Sequence, residues 1–282
     1  MRVAGAPISW GVCEVPGWGA QLPPARVLAE MRDVGLAATE FGPEGFLPDA
    51  PEAKAKLLAE YGLRAVGGFV PVVLHEPGTD PMPDVARALD AFAATGAGTL
   101  VLAAATGRDG YDARPELDVA AWNTLLAHLD RIAARAAEHG VTATLHPHVG
   151  TIVETQDEVD RVLNGSGIAL CLDTGHLLVG GADPVALAER VPERIAHAHL
   201  KDVDAAAADA VRAGRRPYSD AVRDGMFRPL GAGDIDIGRV VRALDGAGYA
   251  GWYVLEQDVM LDGPDADPLA DVRTSLRFLE TL

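Results

Sequence analysis

The chain has 282 residues, 49% hydrophobic and 23% charged, an ordinary globular balance that can bury a large core. Its 41 acidic against 24 basic residues leave a formal charge of -17, a field that repels phosphate backbones and anionic membrane surfaces, so neither nucleic acid nor membrane is expected as a partner. Cys13 and Cys171 stand far apart in no CxxC pattern, and no long apolar run or leader-like start is present, so a disulfide framework is not expected and a cytoplasmic protein is.

Short β-type runs alternate with amphipathic helical runs from end to end. Strands are predicted over 3–9, 37–41, 64–70, 98–104, 141–147, 168–173, 194–200 and 252–256. Helices are predicted over 22–34, 51–61, 83–95, 117–139, 156–164, 184–190, 236–247 and 267–281. The glycines in "MRDVGL", "LAEYGL" and "AAEHGV" fall where a helix end needs them. About eight β/α units with no Pro- or Gly-rich linker predict one domain over 1–282, an α/β fold of the (β/α)8 TIM-barrel type. No GxGxxG follows an early strand, so a dinucleotide-binding open sheet has no support. The longest irregular stretch, about 204–235, carries Tyr218, Arg223, Phe227 and Arg228 and reads as a lid-like excursion over a site, or else as a solvated surface loop.

The seventh predicted strand, "RIAHAHLKD", puts Ile195, His197, His199 and Lys201 on one face and Ala196, Ala198 and Leu200 on the other. Barrel sites form at the C-terminal ends of the strands, and polar groups recur there in this sequence. Glu40 ends the second strand, His146 and His148 the fifth, Asp173 with His176 the sixth, His199 with Lys201 and Asp202 the seventh, and Glu256 with Gln257 the eighth. Ionisable groups gathered unpaired at one mouth would each cost several kcal/mol, so they need a shared partner. One ligand per adjacent strand gives His146, Asp173, His199 and Glu256, a two-histidine, two-carboxylate set suited to Mn, Co, Fe or Zn. A metal-free polar network is the alternative. Taken singly, His197 reads equally as a structural histidine, and Asp202 and Asp258 as cap or turn residues.

Together "APISWG", "TEFGPEGFLP", "LHPHVGT", "LCLDTGHLLVGGADP", "RIAHAHLKD", "SDAVRDGMFRPLGAGDIDI" and "GYAGWYVLEQD" resemble the inosose dehydratase (2-keto-myo-inositol dehydratase) family, in register from about residue 4 to 260. That family lies in the xylose isomerase-like TIM-barrel superfamily, beside ketose epimerases and endonuclease IV. The resemblance implies a divalent metal, Mn²⁺ or Co²⁺ with Zn²⁺ or Fe²⁺ as substitutes, on His146, Asp173, His199 and Glu256. It also implies dehydration of a keto-cyclitol through an enolate, with glutathione dependence and a homo-oligomer left open. Epimerases of the superfamily carry glutamates at the first and last of these positions; His146 at the first favours a lyase here. In this scheme Lys201 supports the oxyanion, Glu256 or Glu40 takes the proton, and His176 or His148 protonates the departing hydroxyl. Trp10, Phe41, His197, Phe227, Arg228 and Gln257 are the expected substrate-facing groups. The competing readings are a sugar or cyclitol epimerase or isomerase on the same site and a non-catalytic sugar-binding barrel subunit; a DNA-repair nuclease is disfavoured by the acidic charge.

Overall fold

The computed structural model describes residues 1–108 and 110–282. The chain runs β1 (Val3–Gly5), α1 (Pro24–Asp33), β2 (Ala38–Thr39), α2 (Pro51–Glu60), β3 (Arg64–Ala65), β4 (Gly67–Val73), α3 (Met82–Thr95), β5 (Thr99–Ala105), α4 (Val119–Glu138), β6 (Thr142–Leu145) and α5 (Gln156–Gly165). It continues through β7 (Ala169–Asp173), α6 (Thr174–Val179), α7 (Pro184–Arg190), β8 (Ile195–Leu200), β9 (Asp202–Val203), α8 (Ala205–Arg212), α9 (Tyr218–Arg223), β10 (Phe227–Arg228), α10 (Ile237–Gly246), β11 (Tyr253–Leu255) and α11 (Leu269–Leu279).

The main sheet is parallel, in the order β3-β2-β1-β11-β8-β7-β6-β5-β4. Its two end strands, β3 and β4, are separated in the chain by Val66 alone, so the sheet closes on itself as a (β/α)8 barrel whose third stave is broken there. That stave runs on to Val73, past its predicted end and through Pro71. Proline is tolerated because β2 stops at Thr39 and β4 beyond it pairs with β5 alone.

Alternation along the strands separates two interiors. Outward residues such as Leu100, Leu145, Leu172, Leu200 and Leu255 form the main core with Phe92 of α3, Leu125 and Leu129 of α4, Val159 of α5 and Leu244 of α10. Full burial of each such side chain is worth about 1.5–3 kcal/mol. Inside the barrel, Ala4, Ala38, Val66 and Val254 make a small apolar floor, and the space above it is left to polar groups. Helix starts are set by the sequence: Asp118, Asp183 and Asp236 accept amide protons of their first turns, and Thr155 with Glu158 forms a capping box.

The excursion predicted as irregular, 204–235, holds α8, α9 and β10. Helix α8, "AAAADAVR", is too short and too uniform to show a helical stripe in the sequence. Strand β10 pairs antiparallel with β9, Phe227 opposite Val203 and Arg228 opposite Asp202. The buried Asp202 carboxylate accepts the amide protons of Val203, Gly231, Gly233 and Ile235, tying the segment to the top of β8. Among the described residues no helix is long and apolar enough to cross a membrane.

Candidate active site and metal centre

The strand-end groups converge at the C-terminal mouth. Glu40 Oε1 accepts from Nε2 of His197 at 2.7 Å and of His199 at 2.9 Å, so all three inward residues of β8 and its end, His197, His199 and Lys201, share the barrel interior. Nε2 of His199 is committed to Glu40, and Nδ1 faces Glu256 Oε2 at 3.3 Å and Asp173 Oδ2 at 3.6 Å with no hydrogen-bond partner; burial lowers this imidazole, but Cys171, Glu256 and Glu40 hold it well above its ordinary value, so the ring is a cation here. His146 Nε2 lies 3.1 Å from the same Asp173 oxygen. The Lys201 ammonium sits 2.8 Å from Glu256, 3.0 Å from Asp173, 3.1 Å from Asp258 and 3.0 Å from Nε2 of His176. Its backbone is held in turn by the Thr174 hydroxyl, which accepts the Lys201 N–H and donates to the Lys201 carbonyl. Gly175 makes this packing available, since a Cβ there would stand 2.7 Å from Lys201 Cβ and 2.8 Å from Phe227.

Burial and charge set the protonation states. Burial lowers the Lys201 ammonium, but Asp173, Asp258 and Glu256 outweigh it and hold it well above the ordinary lysine value, so it stays a cation. Burial raises Glu256, yet His199 and Lys201 bring it down to about 2. Glu40 is likewise raised by burial and driven below the usual carboxylate range by His199 and His197. Burial, with His146 and Lys201 adding to it, pushes His148 down to about 3, and burial with His148 and Lys201 lowers His176 well below its ordinary value. Both imidazoles are therefore neutral in this state, and either one must first take up a proton before it can give one to a departing hydroxyl.

Other expected substrate-facing groups lie elsewhere. The chain leaves β1 at Gly5 and turns through Pro7, so Trp10 swings out to α1, where its indole N–H donates to Glu30. Phe41 follows the inward Glu40 and points outward, edge-on to Phe92. Gln257 follows Glu256 in the same way and donates to the Phe227 carbonyl and to Asp271. On β10, Phe227 packs inward 6.0 Å from His176, while Arg228 alternates outward to Asp204. His197 lies beneath the mouth, under Glu40.

The cavity over these groups is lined by residues that strand-end reasoning missed. Phe69 of β4 meets both His146 and His148; Tyr111 stacks on His148; Trp18 and Cys13 come from the loop after β1. Tyr218 donates to Asp258, which lifts Asp258 from a turn residue to a partner of Lys201. The alternation that placed the strand-seven face also puts Phe69 on the inner side of its strand; the loop residues carry no comparable signal. A larger cleft, about 1070 Å³, lies beside the mouth, but its Arg114 is matched internally to Glu154 and Glu158 and it holds none of the strand-end ligands.

The donor set fits a divalent cation. Asp173, His199 and Glu256 each bring a ligand atom within 4.8 Å of the others, and His146 adjoins this group through Asp173 at 3.1 Å. Nδ1 of His199, turned toward two carboxylates and without a hydrogen bond, is placed to exchange its proton for a cation lying between them. Three buried carboxylates, Asp173, Glu256 and Asp258, surround the Lys201 ammonium, and a fourth, Glu40, holds His197 and His199, an acidic mouth suited to a dication.

Residues 28–282 match the family model described as xylose isomerase-like TIM barrel. The chain is 36% identical to the rhizopine catabolism protein MocC of Rhizobium meliloti, over 95% of this chain and 84% of that protein. It is 31% identical to the inosose dehydratase of Geobacillus kaustophilus (strain HTA426), over 100% and 94% of the two chains. The solved IOLI protein with a bound zinc atom superposes with a TM-score of 0.71 at 14% identity, over 100% of this chain and 97% of that one, a likeness of fold. Barrel, mouth and full-length likeness agree that the chain belongs to the xylose isomerase-like TIM-barrel family and, within it, to the family of the inosose dehydratases.

Proposed function

We propose that this enzyme is a hydro-lyase that removes water from 2-keto-myo-inositol (scyllo-inosose), giving a trihydroxycyclohexanedione, as a step of inositol catabolism. The observation that carries the reading is the meeting of His146, Asp173, His199 and Glu256 beside Lys201 at one barrel mouth, in a chain whose full-length relatives include inosose dehydratases. His146, Asp173, His199 and Glu256 would hold a divalent cation, Mn²⁺ or Co²⁺ in this reading and Zn²⁺ by analogy with the fold neighbour, which would supply Lewis acidity to the reacting ketone. A cytoplasmic setting belongs to the same reading and suits the two unpaired thiols, Cys13 and Cys171.

The chain's own groups divide the remaining work. Lys201, fixed by three carboxylates and Thr174, sets its positive charge beside the oxyanion that develops when the α-proton leaves. Glu40 and Glu256 are engaged by His197, His199 and Lys201, whereas His148 donates Nδ1–H to the Val149 carbonyl at 2.7 Å and leaves an unprotonated Nε2 on the cavity wall. His148 takes the α-proton on Nε2, the C–H pair forms the enolate, and the same proton passes to the β-hydroxyl as its C–O bond breaks and water departs. Phe69, Tyr111 and Trp18 exclude water around the ring.

The test is incubation of purified enzyme with scyllo-inosose and Mn²⁺, Co²⁺ or Zn²⁺. Formation of the unsaturated diketone chromophore is expected; its absence with all three metals overturns the reading. Deuterium entering recovered ketose without loss of water would instead favour an epimerase.

A further inference from the structure

The opposite end of the barrel carries a second built cavity. Arg2 precedes β1, Arg64 opens β3 and Trp252 precedes β11, so all three gather at the N-terminal ends of the run β3-β2-β1-β11. The guanidinium carbon of Arg2 stands 4.3 Å from the Trp252 ring centroid and that of Arg64 5.0 Å. Around them is a cup of about 530 Å³ with Leu58, Leu63 and Val66 on its walls and Thr95, Thr99 and Thr142 among its polar lining.

Two features separate this cup from an ordinary cation–aromatic contact. No acidic residue lines it, and among the described residues no carboxylate lies within 4.0 Å of either guanidinium. In a chain of charge -17 many arginines are matched, as Arg114 is to Glu154 and Glu158, Arg190 to Asp160 and Arg239 to Glu189, whereas this cup brings two unmatched ones together. Arg2 spends one N–H on the Ala250 carbonyl at 3.1 Å and, among the described residues, Arg64 donates no side-chain hydrogen bond, so most of the two forks, the geometry that grips an oxyanion in two places, is uncommitted.

We propose that this cup binds a phosphoryl dianion between Arg2 and Arg64, either as free phosphate or as the phosphate of a small metabolite. The cavity exceeds what phosphate alone fills, and its apolar walls suit the remainder of a larger ligand. The site is independent of the reaction at the mouth, from which it is separated by the length of the barrel.

Calorimetric titration of the full-length protein with inorganic phosphate and with a hexose phosphate, against sodium chloride at matched ionic strength, tests it. Saturable binding with a Kd of about 1 mM or tighter is expected for at least one of the two. Tighter binding of the hexose phosphate assigns the site to a metabolite; equal binding assigns it to free phosphate. R2Q and R64Q should each weaken binding about tenfold or more. R2K, which keeps the charge and loses the fork, should weaken it also and guards against misfolding of a neutral variant. Absence of saturable binding to either ligand, or equal binding by wild type and the arginine variants, overturns the proposal.

Discussion

The two ends of this barrel hold cations in opposite company. At the C-terminal mouth Lys201 is buried among Asp173, Glu256 and Asp258, with Glu40 close behind; at the N-terminal end Arg2 and Arg64 rest on Trp252 with no acid in the cup. A charge of -17 is therefore not spread evenly. Acid is concentrated where a cation must be held away from water, and there each charge fixes its neighbours' protonation. The other end is cleared of acid, and its exposed charges are screened and weakly coupled.

The most severe way to break this contrast is Lys201→Met, which leaves three carboxylates facing one another. Dehydration should fall about 10²–10³-fold, read as kcat with scyllo-inosose, and the variant should unfold at lower temperature. Glu40→Gln leaves the carboxylate count at Lys201 intact but frees the His199 ring; metal affinity by titration calorimetry should drop by up to about 100-fold. At the rim, burial and the nearby Glu14 push the Cys13 thiol up to about 12 from 9.0. At pH 8 its labelling by a disulfide reagent should run about 50-fold slower than a free thiol, and should go on rising with pH beyond 9.0 instead of levelling off. Since the unfolded thiol ionises first, this group's contribution to stability is complete below pH 9.0 and is lost as pH climbs toward 12. Asp202→Ala should cost about 2 kcal/mol in urea unfolding, roughly 30-fold in the folding equilibrium, by stranding four amides. Smallest of all, R2Q and R64Q should leave kcat within about twofold; a larger loss would show that the two ends are coupled.

Much of the mouth was legible because a strand's period is two and a barrel's chemistry sits where its strands stop. His197, His199 and Lys201 follow from alternation alone, and Glu40, Asp173 and Glu256 from being the first carboxylates after apolar runs. Alternation also explains the misplacements: Phe41 and Gln257 each follow an inward residue and so face outward, and Arg228 is the outward neighbour of Phe227. Trp10 was lost to a turn at Pro7 inside a predicted strand. What stayed hidden depends on contacts distant in sequence: Tyr218 meeting Asp258, Tyr111 stacking on His148, and the break at Val66 that lets the barrel close.

Asp202 follows Lys201 directly, and its carboxylate secures the far side of the segment that covers His176. The covering therefore belongs to the barrel's cooperative unit instead of opening on its own. The amide protons of Gly231, Gly233 and Ile235 should exchange with deuterium as slowly as those of β8, and turnover should not wait on the motion of that segment.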